Sequence, residues 1–144
     1  MLRVKRIYEP ASAEDGVRVL VDRMWPRGVK KSEAAVDLWL KDVAPSTELR
    51  TWFSHDPAKW AVFRRRYHAE LQRKADAIAL LQGKLAEGPV TLIFSARDPL
   101  HNNAVALEEY LEEAARPRHR TGKRTKSRTA ERDRQRRKPG DKRV

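Results

Sequence analysis

Two short polar segments hold most of the side chains that could do chemistry in this chain. The first, DRMWPRG, runs from Asp22 to Gly28 and follows the apolar run 17–21, while the second, Ser95 to Asn103, follows the apolar run 90–94. Both apolar runs have the length and composition of strands. Ligands of open α/β sheets bind just outside the carboxyl ends of the strands. The two segments therefore predict a single site that is assembled from both.

The residue types in these segments suit a small anionic or phosphorylated ligand. Arginine offers a planar fork of donors to an oxyanion, and a helix start offers unpaired N–H groups. The predicted ligand-contacting residues are Asp22, Arg23, Trp25, Arg27, Asp56, Ser95, Arg97, Asp98, Asn102 and Asn103. A structural alternative stays open, in which the carboxylates pair with neighbouring arginines or cap helices and the WPRG segment is a tight turn.

Acid–base catalysis in this site would fall to a histidine, because imidazole exchanges a proton near neutral pH. His101 is the first candidate, since it lies within the second polar segment, and His55 is the second. The alternative for each is a hydrogen-bonded or surface histidine, which is the more common role of a solitary histidine. The chain has no cysteine, no zinc-type ligand spacing and no glycine-rich nucleotide motif. We therefore predict no cofactor and no metal, and whether the protein is an enzyme stays open.

The elements that must position these residues form an α/β domain. Strands are predicted at residues 4–8, 18–21 and 90–94, and the last is a continuous apolar run, which is typical of a strand covered on both faces. The expected fold is a small, mainly parallel sheet of about three strands packed between helices.

Four helices are predicted from their start signals. Ser32 caps a helix that runs toward Leu40, Ser46 caps residues 47–53, and Asp56-Pro57 opens the longest helix, which ends near Gly83. Asp98-Pro99 opens the last helix, which reaches about Ala115 and has residues 101–103 in its first turn.

Charge divides the chain into two parts. Residues 1–115 contain 18 Lys and Arg against 17 Asp and Glu, whereas residues 116–144 contain 14 against 3. The second part has too few apolar residues to form a core, so we predict a folded domain over 1–115 and a disordered basic tail over 116–144. Such a tail could associate with nucleic acid phosphates or only keep the protein in solution. The tail residues predicted to contact nucleic acid are Arg120, Lys123, Arg124, Lys126, Arg128, Arg134, Arg136, Arg137 and Lys138.

Location and partners follow from weaker signals. No apolar stretch approaches the roughly 20 residues that span a bilayer, and the start, MLRVKRIYEP, has charges where a signal peptide has its apolar core. We expect a cytoplasmic protein with no membrane partner. A further alternative is a protein-interaction module whose sheet edges are covered by another subunit. The sequence does not decide the oligomeric state.

Four motifs occur in order and together resemble one family. They are DRxWPRG from Asp22, LWLKxxAPS from Leu38, FxHDP from Phe53 and DxxHNNA from Asp98, within a match over residues 2–111. The chain resembles the YeaO-like family of small bacterial proteins, within the domain-of-unknown-function family four-eight-eight. The resemblance implies a compact cytoplasmic α/β domain of uncharacterised activity, and it implies that the basic tail is an addition. The family's shared polar positions would correspond to Asp22, Arg23, Trp25, Arg27, His55, Asp56, Asp98, His101, Asn102 and Asn103.

Overall fold

The sheet has four parallel strands. The computed structural model describes residues 1–116, and the strands are β1 (Leu2–Arg6), β2 (Val17–Leu20), β3 (Leu38–Trp39) and β4 (Val90–Phe94). Their order in the sheet is β1-β4-β2-β3. All neighbouring strands are parallel, so the carboxyl ends of β2 and β4 lie side by side at one edge. The predicted α/β class is confirmed.

In the described part of the chain, five α-helices accompany the strands. They are α1 (Lys31–Ala34), α2 (Thr47–Phe53), α3 (Trp60–Leu71), α4 (Ala75–Glu87) and α5 (Asn103–Ala115). Three short 3₁₀ turns lie at Ala13–Asp15, Lys41–Val43 and Pro57–Lys59. No helix among residues 1–116 is both long enough and apolar enough to cross a membrane. Most of the predicted basic tail lies outside the described residues.

The two faces of the sheet are covered unequally. On one face, alternate residues of β2 and β4 pack against apolar side chains of α2 to α5 and form the large core. On the other face, Leu20 and Ile93 pack against Ala34 of α1, with Trp25 and Trp39 at the border. Strand β4 is buried along its whole length because it lies between β1 and β2 and is covered on both faces.

The fourth strand replaces the second half of a predicted helix. Helix α1 has only one turn and ends at Ala34, because the next residue, Ala35, has the left-handed φ of 53°. Ser32 does not cap it, because the N-cap position is Lys30 and has no side-chain bond. Residues 38 and 39 instead pair with Val19 and Leu20 as β3. Pairing with the open edge of β2 therefore determines the structure of this segment, although the spacing of its apolar residues favours a helix.

The predicted long helix is two helices. The N–H groups of Arg73 and Lys74 bond to the carbonyls three residues back, which tightens the chain and ends α3. Lys74 then donates from Nζ to the carbonyl of Ala44 at 3.0 Å. Helix α4 starts at the next residue and continues through Gly83 to Glu87. The predicted end at Gly83 was wrong, because a glycine within a helix costs only about 1 kcal/mol.

The predicted helix starts differ in their accuracy. Ser46 caps α2 as predicted, accepting from the N–H of Leu49 at 3.1 Å. Asp56 accepts from the N–H of Ala58, but it opens a 3₁₀ turn that leads into α3. Asp98 accepts from the N–H groups of Leu100 and His101, and that turn ends before α5 begins.

Candidate functional site

A cleft of about 780 Å³ opens at the edge where β2 and β4 end. The loop after β2, the end of α2 and the loop between β4 and α5 form its walls. The residues predicted from sequence that line this cleft are Asp22, Arg23, His55, Ser95, Arg97, Asp98, Asn102 and Asn103. The structure therefore brings the two polar segments into one concave surface.

Asp22 joins the elements that meet in the cleft. Its Oδ2 accepts from the N–H of Ser95 at 3.0 Å and from the Ser95 hydroxyl at 2.7 Å. Its Oδ1 accepts from Nδ2 of Asn103 at 3.2 Å, and the same amide donates to the carbonyl of Val21 at 3.0 Å. One carboxylate thus connects the end of β2, the end of β4 and the start of α5.

The environment of Asp22 shifts its protonation. Burial raises the pKa of this carboxyl above its ordinary value, because the low-dielectric surroundings disfavour the charged form. Hydrogen bonds from Ser95 and Asn103 and the charge of Arg50 oppose that rise in the pKa. A carboxyl with a raised pKa in a cleft is a common feature of functional sites.

Three arginines supply the positive charge of the cleft: Arg23, Arg50 and Arg97. Arg23 donates from Nη2 to the carbonyl of Pro45 at 3.2 Å. Arg50 and Arg97 are exposed. Within residues 1–116, none of the three guanidinium groups forms an ion pair with a carboxylate. The cleft therefore keeps donors and positive charge that the fold itself does not use.

The end of α2 is held in an unusual backbone conformation. Ser54 has φ of 48° and His55 has φ of 58°, so two consecutive residues with side chains occupy the left-handed region. This region costs L-residues about 1 kcal/mol or more each. Both residues line the cleft. Left-handed residues with side chains cluster at functional sites, which makes this turn a candidate ligand contact.

The start of α5 forms the opposite wall. Asn102 is buried, and its Oδ1 accepts from the N–H of Val105 at 2.9 Å, which is the capping bond of this helix. Its Nδ2 donates to the carbonyl of Asp98 at 2.9 Å. Asn102 and Asn103 are therefore structural in part, one as the helix cap and the other as a partner of Asp22.

Comparison with known proteins assigns the chain to a family. Residues 1–130 match the family described as "Inactive DUF488-N3 subclade". The chain belongs to the DUF488-N3i family. It is also 42% identical over 110 residues to uncharacterized protein YeaO of Escherichia coli, a match that covers 76% of this chain and 96% of that protein. Uncharacterized protein Mb3100c of Mycobacterium bovis and uncharacterized protein Rv3073c of Mycobacterium tuberculosis are each 42% identical over 110 residues, with 76% of this chain and 92% of each relative covered. No solved structure matches significantly.

Four of the predicted site residues of this DUF488-N3i protein do not line the cleft: Trp25, Arg27, Asp56 and His101. The Trp25 indole donates to the carbonyl of Val29 at 2.8 Å and belongs to the smaller core. Arg27 is exposed, and its carbonyl accepts from the hydroxyl of Tyr8. The Asp56 side chain caps the turn that leads into α3.

His101 does not line the cleft but contacts Asp98, which does. Its Nδ1 lies 2.8 Å from Oδ2 of Asp98, and its ring packs edge-on against Trp60 with centroids 5.3 Å apart. The hydrogen bond from the backbone N–H of Leu100 and the hydrogen bond with the His101 side chain hold the pKa of Asp98 below its usual range. Of the two predicted catalytic histidines, only His55 reaches the cleft.

Sequence reasoning missed the contribution of α2 and of the apolar lining. The residues that it did not select are Met24, Pro45, Arg50, Thr51, Phe53, Ser54, Phe63 and Ala96. Arg50 belongs to neither polar segment, and only the tertiary packing of α2 brings it to the cleft. Among the described residues of this DUF488-N3i protein, no three His, Asp or Glu side chains converge in a way that would hold a metal ion.

Proposed function

We propose that the cleft binds a small anionic ligand, such as a carboxylate or a phosphate ester. The observation that carries this proposal is the absence, within residues 1–116, of any carboxylate partner for Arg23, Arg50 and Arg97. Guanidinium groups bind carboxylates and phosphates through two parallel hydrogen bonds. An anion in this cleft would use donors that the fold leaves available.

The acidic residues of the cleft do not compete for these donors. Asp22 accepts three hydrogen bonds from Ser95 and Asn103, and the Asp98 carboxylate accepts from two backbone N–H groups and lies beside His101. Both carboxylates are thus engaged in holding the walls. With three arginines and two aspartates, the charged side chains that line the cleft sum to +1.

Binding is a better-supported role for the cleft than catalysis. The first candidate for acid–base work, His101, does not line the cleft, and its Nδ1 is engaged by Asp98. The family description itself uses the word inactive. His55 keeps the catalytic hypothesis testable, because its side chain borders the cleft.

A thermal-shift screen of the full-length protein tests the proposal. The panel contains inorganic phosphate, sulfate, citrate, sugar phosphates and nucleotides. A ligand at about 100 times its Kd stabilises the folded state by about 2.7 kcal/mol, which raises the Tm of a domain of this size by several degrees. We expect at least one anion to raise the Tm, and we expect Arg50→Gln to remove that rise.

Arg27→Gln is the matched control. It removes the same charge from an exposed loop position outside the cleft, so the rise in Tm should persist. A rise that disappears equally in both variants would mean binding by overall charge and would contradict the proposal. A panel without any Arg50-dependent rise would do the same.

A second candidate function is association with nucleic acid through the basic residues 116–144. The observation that favours it is their composition, with 14 Lys and Arg against 3 Asp and Glu. Neutralising phosphates releases counterions, so such binding weakens steeply with salt and has little sequence preference.

Truncation after Ala115 tests this second function. We expect the full chain to retain a duplex of random sequence at low salt, with a negative slope of log affinity against log salt, and the truncated chain to lose this binding. Equal DNA affinity of both chains would refute a role for the basic segment.

A further inference from the structure

Two loops border the cleft, one after β2 and one after β4, and we call them its lips. Each lip carries a large apolar side chain that is exposed to solvent. Met24, in the loop after β2, and Leu100, in the loop after β4, are each 67% exposed. Met24 lines the cleft, whereas Leu100 lies in the turn whose Asp98 and Asn102 line it. A ligand confined to the cleft would cover Met24 and leave Leu100 exposed.

We infer that the cleft and its two lips dock an extended peptide segment of another protein. An Asp or Glu carboxylate of that segment enters the cluster of Arg23, Arg50 and Arg97, and its neighbouring apolar side chains cover Met24 and Leu100. This inference rests on the proposed anion-binding function and specifies that the anion is a side-chain carboxylate of a partner protein. Covering both lips requires a partner that extends beyond the cleft.

The charge balance favours a carboxylate over a phosphate. The charged residues that line the cleft sum to +1, which one carboxylate neutralises and a phosphate monoester exceeds. Electrostatic complementarity of this kind selects partners and orients them.

The same balance favours a peptide over a nucleic acid. Residues 1–115 hold 18 Lys and Arg against 17 Asp and Glu, so the body lacks the broad excess of positive charge typical of a surface that follows a phosphate backbone. Exposed apolar side chains beside a local positive site instead match a protein interface, in which apolar contacts surround a few polar anchors.

The hydrogen bonds of the Asp22 side chain support a fixed recognition surface. Asp22 accepts hydrogen bonds from Ser95 and Asn103, so the loop after β2 is joined to the loop after β4 and to the start of α5. A preorganised site loses less entropy when a flexible peptide binds. The conformational adjustment needed for binding is then made by the peptide and not by the cleft.

Fluorescence anisotropy with labelled peptide pools tests the inference. Each pool has a central Glu, Gln or phosphoserine, either flanked by Leu or flanked by Ser, and is titrated with full-length protein at about 0.3 M salt, where exposed charges are largely screened. We expect the pool with central Glu and flanking Leu to bind best. Central Gln should weaken binding at least tenfold, and Arg50→Gln should have a similar effect.

Variants of the lips separate docking from anion binding. Met24→Ser and Leu100→Ser should each weaken peptide binding about three- to tenfold. Leu100→Ser should also leave the Tm rise with citrate or phosphate unchanged, because Leu100 does not line the cleft. Leu80→Ser is the matched control, because Leu80 is 42% exposed on α4 and does not line the cleft. It should leave peptide affinity unchanged.

The outcomes distinguish this inference from the proposed function. An Arg50-dependent Tm rise with free anions and no peptide binding would overturn the docking inference and leave the anion site in place. A peptide affinity that is unchanged in Met24→Ser and Leu100→Ser would overturn the role of the lips. Preference for the phosphoserine pool, or displacement of the peptide from the cleft by single-stranded DNA, would overturn the assignment to an acidic peptide. No response to anions or peptides would remove both proposals.

Discussion

At the scale of single residues, the cleft depends on one carboxylate that holds other groups in place. Asp22 is a strand-end residue whose three hydrogen bonds all reach Ser95 or Asn103. Its own lone pairs are largely used, so its role is to position the walls. The residues available to a ligand are the arginines around it, which have no carboxylate partner among the described residues.

The raised pKa of Asp22 predicts a specific pH dependence of stability. An acid whose pKa is higher in the folded than in the unfolded state favours folding when protonated, so its contribution declines as the pH rises from the ordinary value of 3.8 through the raised folded pKa. Asp22→Asn removes this titration. We therefore expect the free energy of unfolding of Asp22→Asn, relative to wild type, to increase from about pH 4 to pH 7.

Urea unfolding at several pH values measures this difference. Using the difference between the two proteins cancels the contribution of Asp98, whose pKa shift has the opposite sign. A difference that stays constant across the range would show that the folded and unfolded proteins bind the Asp22 proton equally, against the expectation.

At the scale of elements, close backbone contacts determine how the strands join. Gly16, just before β2, has φ of 64°, and a Cβ atom at this position would lie 2.2 Å from the carbonyl oxygen of Pro89, just before β4. The N–H of Val17 bonds to the same carbonyl at 3.0 Å. The amino ends of β2 and β4 thus meet with no room for a side chain.

Two glycine substitutions should have opposite effects on stability. Gly16→Ala forces the backbone of Pro89 away and places alanine at a positive φ, so we expect a loss of about 3 kcal/mol or more, or failure to fold. Gly83→Ala lies in the interior of α4 with no atom within 4 Å of the new Cβ, and it should stabilise by about 0.5–1 kcal/mol. Chemical denaturation measures both, and a neutral Gly16→Ala would contradict the close contact.

The cap of α2 connects this helix to α3. The Ser46 hydroxyl accepts from the N–H of Leu49 and donates to Oε2 of Glu70 at 2.6 Å, while the N–H of Ser46 donates to Oε1 of Glu70 at 2.8 Å. Because α2 carries Arg50 into the cleft, this contact also orients a cleft wall.

Two serine substitutions test the importance of this cap. Ser46→Ala should lower the free energy of unfolding by about 1–2 kcal/mol, since it removes a capping bond and a bond to a carboxylate. Ser32→Ala is the control, because Ser32 is exposed and makes no capping bond, and it should change stability by less than about 0.5 kcal/mol. Similar losses in both variants would argue against a special role of Ser46.

At the scale of the whole molecule, the core lies within the first part of the chain. Among residues 1–116, the buried apolar residues run from Ile7 to Leu111, and residues 1–114 form one compact unit. The predicted boundary near residue 115 can therefore be examined by truncation.

A chain truncated after Ala115 should fold and unfold in a single transition. Its Tm should lie within about 2 °C of the Tm of the full chain, because no buried apolar residue of the described core is lost. Calorimetry of both chains measures the difference. A truncated chain that melts much lower would show that residues after 115 contribute to stability.

The sequence by itself determined the α/β class, strand β4, the caps of α2 and the turn before α3, and the meeting of two polar segments at one sheet edge. Each of these features depends on local chemistry or on the rule that the carboxyl ends of parallel strands lie at the same edge of the sheet. Only the tertiary structure decided that residues 38 and 39 form β3, because the open edge of β2 supplies their hydrogen bonds. It alone brought Arg50 into the cleft and left Arg27 and His101 out of its lining. Such placements depend on how helices pack across the sheet, and residue spacing within one segment carries no information about that packing.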